Sequence, residues 1–139
     1  MEIDEITGAV IDAAVHVHRR LGPGLLESLY EAVLACELGR RGLRTDRQRL
    51  IRFSYDGMEV VDAFRADLIV EDCVILEVKS QDRLALVHTK QLLTYLRLTD
   101  LRVGLVLNFG GETMKEGMKR VVNNYTAASP TSLRINQAR

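Results

Sequence analysis

The six residues Val74-Ile75-Leu76-Glu77-Val78-Lys79 constrain the fold more than any other stretch of the chain. Side chains alternate faces along a strand, and this run is apolar on both faces until Glu77 and Lys79 appear on one of them. Such a strand belongs inside a sheet with helices over both sides. Val103 to Leu107 is a second strand too apolar for an edge, and it follows a helical pattern. A parallel crossover onto the same sheet is its economical placement.

The flanking segments supply the cover. Ile6, Val10, Ala14, Val17 and Leu21 recur at helical spacing until Gly22-Pro23-Gly24 stops the pattern. Leu26, Leu29, Val33 and Cys36 predict a second amphipathic helix, closed by Arg40 to Leu43. Leu50 to Ser54, Met58 to Val70 and Cys73 to Val78 read as three strands of an antiparallel meander, with Asp56-Gly57 as a hairpin turn. Asp82 can cap a third helix through about Thr99, striped by Ala85, Leu92 and Leu96 and by Leu84, His88, Gln91 and Tyr95. Residues 112–124 fit a helix, or a loop and a short strand Lys119 to Val122, equally well. The fold class is α/β, a mixed sheet flanked by helices. The 139 residues suffice for one domain, placed at 1–125, and the polar segment 126–139, without an apolar period, is expected to be a flexible tail.

Nineteen basic and nineteen acidic residues cancel, so bulk electrostatics does not coat a nucleic acid, and an anionic partner must meet a local patch. Arg40 to Arg52 is such a patch, with Arg44, Arg47 and Arg49 as candidate phosphate contacts; a solvated connection is the bland alternative. No apolar run is long enough to cross a membrane, and Met1-Glu2-Ile3-Asp4-Glu5 lacks the features of a signal peptide, so the expected compartment is the cytoplasm, with no membrane partner. Cys36 and Cys73 lack zinc-ligand spacing and read as two buried thiols.

Glu77 and Lys79 put charge where core is expected. They are either a solvent-exposed ion pair at a strand end or part of a site, and about half of one acidic-x-Lys match is expected by chance. Asp67 on the preceding strand sharpens the choice. Were Glu71-Asp72 a two-residue turn, Asp67 would oppose Leu76 and Glu77 would face away. With Val70 opposite Val74, and Glu71-Asp72-Cys73 as a three-residue connection in which Asp72 suits a left-handed conformation, the two carboxylates converge. Two carboxylates, a main-chain carbonyl such as that of Val78, and water form the oxygen-rich shell that Mg²⁺ or Mn²⁺ prefers. Lys79 beside them could stabilise an attacking hydroxide or the charge growing on a phosphate.

Asp67 and Glu77-Val78-Lys79, followed by a helix bearing Gln91 and Tyr95, resemble the PD-(D/E)XK nuclease superfamily. Gly24-Leu25-Leu26-Glu27-Ser28-Leu29-Tyr30 is similar to the signature of its GxxExxY branch, and the likeness extends through Val17-His18-Arg19-Arg20-Leu21-Gly22-Pro23-Gly24 and Leu107-Asn108-Phe109-Gly110. The proline in the superfamily's name is absent, since Ala66 precedes Asp67. The resemblance implies a restriction-endonuclease-like αβββαβ core and metal-dependent phosphodiester cleavage. It assigns Asp67 and Glu77 to the metal, Lys79 to the hydrolytic water or transition state, Glu27 as the helix carboxylate completing the site, and Gln91 to orienting a phosphate. Tyr30 either supports the site or covers the core edge, Tyr95 would support the site, and His18 is either a surface imidazole or, by analogy with RecB-like nucleases, a metal ligand, whereas His16 and His88 carry no assignment. The expected partner is nucleic acid, DNA before RNA, and self-association is open. A different class of function, a non-catalytic nucleic-acid or protein-interaction module on the same fold, is disfavoured because Glu27, Asp67, Glu77 and Lys79 are all present.

Overall fold

The computed structural model describes residues 1–125, the side chains of Asp62 and Ala63 excepted. In chain order the elements are α1 (Ile3–Leu21), α2 (Glu27–Arg40), β1 (Thr45–Tyr55), β2 (Met58–Val70), β3 (Val74–Lys79), α3 (Leu86–Thr99), β4 (Val103–Asn108), α4 (Met114–Gly117) and β5 (Met118–Val122). The strands form one sheet in the order β1-β2-β3-β4-β5. β1 to β3 are an antiparallel meander, β4 is parallel to β3, and β5 returns antiparallel beside β4. This is the mixed sheet flanked by helices that the strand composition demanded. The segment 126–139 lies outside the described residues.

Alternation along the strands divides the core in two. Leu68, Val70, Val74, Leu76, Val78, Leu105 and Leu107 face α1 and α2, meeting Ile6, Val10, Ala14, Val17, Tyr30, Leu34 and Leu38. Ile69, Ile75 and Val106 face α3, meeting Leu92 and Leu96. Each fully buried leucine here contributes roughly 1.5–3 kcal/mol. Close approach of α3 depends on Gly104, where an added Cβ would lie 2.9 Å from a Leu92 methyl and 3.0 Å from the Ile75 carbonyl.

Four local expectations differ from the structure. The face of α2 against the sheet carries Tyr30, Leu34 and Leu38, while Leu26, Leu29 and Cys36 of the expected stripe are exposed. Cys36 is therefore an accessible thiol rather than a buried one. β1 starts at Thr45, not Leu50, because an arginine-rich edge strand shows no apolar alternation. α3 starts after Ala85, so Asp82 does not cap it; beyond Gly111 the chain makes the one-turn α4, capped by Thr113 Oγ1 on Glu116 N–H at 3.2 Å, and then β5. Among the described residues no helix is long and apolar enough to cross a membrane.

Candidate active site

The connection between β2 and β3 determines which side chains meet. Glu71 and Asp72 both take left-handed conformations, at φ 53° and 54°, and Cys73 N–H closes on the Val70 carbonyl at 3.0 Å. This three-residue turn sets Val70 opposite Val74, Ile69 opposite Ile75 and Leu68 opposite Leu76. The backbone ladder ends there, and the next residue on each strand is a carboxylate. Asp67 N–H donates to Glu77 Oε2 at 3.2 Å, and Val78 N–H donates to Asp67 Oδ2 at 2.8 Å.

Glu77 is 6% exposed and Asp67 half-buried. Burial, and then repulsion from Asp67, pushes the Glu77 carboxyl up to about 8. Burial also raises Asp67, with Glu31 adding to it, against the opposing Val78 N–H, Gln48 amide and Lys79. Among the described residues neither carboxylate makes an ion pair. Lys79 acts on both from longer range, so Glu77 and Lys79 are not a simple strand-end pair. Two desolvated, mutually repelling carboxylates without a paired cation cost stability.

Glu31 on α2 belongs to the same cluster, although nothing in the sequence reading pointed to it. It is 5% exposed, pairs with Arg47 Nε at 3.1 Å and accepts from Gln48 Nε2 at 2.8 Å. Gln48 Nε2 also reaches Asp67 Oδ1 at 3.3 Å. A signal was present: Glu31 lies three and seven positions before Leu34 and Leu38, on the stripe that packs against the sheet.

Glu27 meets the end of β3, the strand that carries Glu77. Exposed in the first turn of α2, it accepts from Ser80 N–H at 3.3 Å, just beyond β3, while Ser80 Oγ donates to the Leu25 carbonyl at 2.6 Å. Tyr30 is fully buried and stacked on Phe109 with ring centroids 4.6 Å apart; its hydroxyl donates to the Gly22 carbonyl and accepts from Leu25 N–H at 3.2 Å. The Gly24-to-Tyr30 motif thus ties the α1–α2 loop to the exit of β3. His18 is buried, and its Nε2 bonds the Gly111 carbonyl at 2.9 Å rather than Asp67 or Glu77.

The Leu107-to-Gly110 motif grips the same exit from the other side. Buried Asn108 accepts from Gln81 N–H at 2.9 Å and donates to the Gln81 carbonyl at 2.9 Å, and Phe109 N–H donates to the Lys79 carbonyl at 2.8 Å. A Cβ on Gly110 would lie 2.3 Å from the Gln81 carbonyl oxygen, so only glycine fits. On α3, Tyr95 stacks on Phe64 at 3.7 Å between centroids, and burial, then Glu77 and Asp67, raise its hydroxyl. Gln91, one turn earlier, is exposed. His88 bonds Gln81 Oε1 at 3.1 Å and is held below the ordinary imidazole range by burial and Lys79.

The three candidate phosphate contacts are each paired with this chain's own acids. Arg44 pairs with Asp72, Arg49 with Asp46 and Asp72, and Arg47 with Glu31. Any phosphate contact there competes with these pairs. Among the described residues no three His, Cys, Asp or Glu side chains converge to hold an ion by themselves.

The profile of the PD-(D/E)XK nuclease superfamily matches residues 4–121. Among solved structures, the crystal structure of SSO0001 superposes with a TM-score of 0.50 at 22% identity, over 68% of this chain and 48% of that one. The chain thus spans about half the length of that neighbour, and the likeness speaks to the fold alone. A search of the curated proteins finds no match.

Proposed function

Because the chain belongs to the PD-(D/E)XK nuclease superfamily, we propose that it is a divalent-metal-dependent nuclease hydrolysing phosphodiester bonds of DNA, of the GxxExxY branch. The observation that carries this reading is the meeting of Asp67 and Glu77 at the end of the β2–β3 ladder, desolvated and without an ion-paired cation. Their oxygen donors suit Mg²⁺ or Mn²⁺, and a cation relieves the repulsion that raises both groups.

Asp67 and Glu77 would hold the ion. The Val78 carbonyl suits a third donor, because N–H and C=O of one residue point to the same strand edge and Val78 N–H points at Asp67. Such an ion would supply Lewis acidity and would lower the pKa of a water bound to it. Lys79, on the same side of β3 as Glu77, places a positive charge where the pentavalent phosphate gains negative charge. Glu27 acts through Ser80, fixing the backbone that follows Lys79. Gln91 and Tyr95, on the α3 side, would face the phosphate, with Tyr95 braced by Phe64.

The test is incubation with single- and double-stranded DNA and with RNA in Mg²⁺ or Mn²⁺, alongside an Asp67→Asn variant. Cleavage by the wild type, lost by at least about 100-fold in the variant, is expected. Binding of nucleic acid without cleavage under either metal would make the chain a binding module instead.

A further inference from the structure

Six non-glycine residues have positive φ among the described residues. Asp56, Glu71, Asp72, Asp100 and Asn124 lie where the chain turns or an element ends. Gln48, at φ 52°, lies inside β1, between Arg47 paired with Leu68 and Arg49 paired with Ala66. A residue with a Cβ resists this conformation, and inside a ladder it also forgoes its own pairing. The residue across from it is Asp67.

β2 is irregular at the same level. Leu68 and Val70 pack toward α1 and α2, and Ile69 packs toward α3. Strict alternation would send Ala66 with Leu68, yet Ala66 packs with Ile69, so the alternation shifts at Asp67. Both strands depart from regular geometry where the candidate metal carboxylate sits.

The departure places one amide between two acids. Gln48 Nε2 donates to Glu31 Oε1 at 2.8 Å and to Asp67 Oδ1 at 3.3 Å, while Arg47 holds the other oxygen of Glu31 at 3.1 Å. Asp67 is therefore held at both oxygens, by Val78 N–H and by the Gln48 amide. Arg65 Nη1 donates to the Gln48 carbonyl at 3.3 Å, bracing the kink.

We propose that Gln48 is a positioning residue: its left-handed backbone aims an amide, anchored on Glu31 and Arg47, that fixes the Asp67 carboxylate in the one rotamer presenting it beside Glu77. Its functional meaning rests on the nuclease reading, but the rotamer it imposes exists without metal. Gln48→Gly tests it, since glycine accepts φ 52° without strain and only the side chain is lost. In metal-free labelled protein, three-bond couplings from backbone N and C′ to Asp67 Cγ report its χ1, and calorimetry reports Mn²⁺ affinity.

A single-rotamer signature in the wild type, averaged couplings in Gln48→Gly, and Mn²⁺ affinity weakened about 10-fold or more are expected. Unchanged couplings in the variant overturn the proposal whatever the metal does. Averaged couplings with wild-type Mn²⁺ affinity overturn the link to the site. A wild type that binds no Mn²⁺ while the couplings still differ refutes the nuclease reading and leaves Gln48 as the residue that sets Asp67.

Discussion

Replacing Glu77 with Gln should stabilise the metal-free protein, and by an amount that depends on pH in a definite sense. Folding raises this carboxyl from 4.5 to about 8, because it is buried and faces Asp67. The folded state therefore keeps a proton that the unfolded chain releases. Stability is fully present below 4.5 and is lost as pH rises toward 8, at about 1.4 kcal/mol per pH unit. From pH 5 to pH 8 the wild type loses about 3 to 4 kcal/mol through this group; Asp67, also raised, adds in the same direction. Gln keeps the volume and an oxygen for Asp67 N–H but does not ionise. Urea unfolding in chelator at pH 5, 6, 7 and 8 should show the stability gap between Glu77→Gln and wild type widening by roughly that amount. Saturating Mn²⁺ should narrow it, since only the wild type regains a charge partner. A gap that stays constant across the pH range would mean that Glu77 is not a desolvated carboxylate beside Asp67.

Three further substitutions separate chemistry from scaffold. Lys79→Ala should lower kcat by at least about 100-fold in a cleavage assay while Mn²⁺ affinity, read by calorimetry, changes little, because its proposed charge acts on the transition state. Gly110→Ala should destabilise by about 1–3 kcal/mol in urea unfolding, since the Gln81 backbone blocks the new methyl. Tyr30→Phe keeps the stacking on Phe109 but strands the Gly22 carbonyl and Leu25 N–H. It should cost about 1–3 kcal/mol and speed proteolysis between Leu21 and Leu26.

What the sequence made legible, and what it hid, follows from the range of each signal. Period-two alternation narrowed the β2–β3 register to two alternatives, and only the one with a three-residue turn, which the structure adopts, brings Asp67 and Glu77 together. The apolar runs of β3 and β4 likewise announced the sheet's centre. Longer-range devices were hidden: Glu27, which the family resemblance placed with the carboxylates, accepts from Ser80 N–H, whereas Glu31 sits in the cluster because Arg47 and Gln48 neutralise and satisfy it. Gln48's left-handed backbone leaves no mark in a glutamine codon's neighbourhood, since strain is held by tertiary contacts. The α2 stripe misled because Leu26 and Leu29 share helical spacing with Val33 yet face outward, while the larger Tyr30 takes the core.

The claim on which the account turns is that Asp67 and Glu77 together hold a divalent cation, and the most direct measurement is a calorimetric Mn²⁺ titration of the wild type against Asp67→Asn in the absence of nucleic acid. Saturable one-site binding by the wild type, abolished in the variant while its unfolding remains cooperative, is the predicted result. Equal heats from the two proteins, or no binding by the wild type through millimolar Mn²⁺, would contradict it.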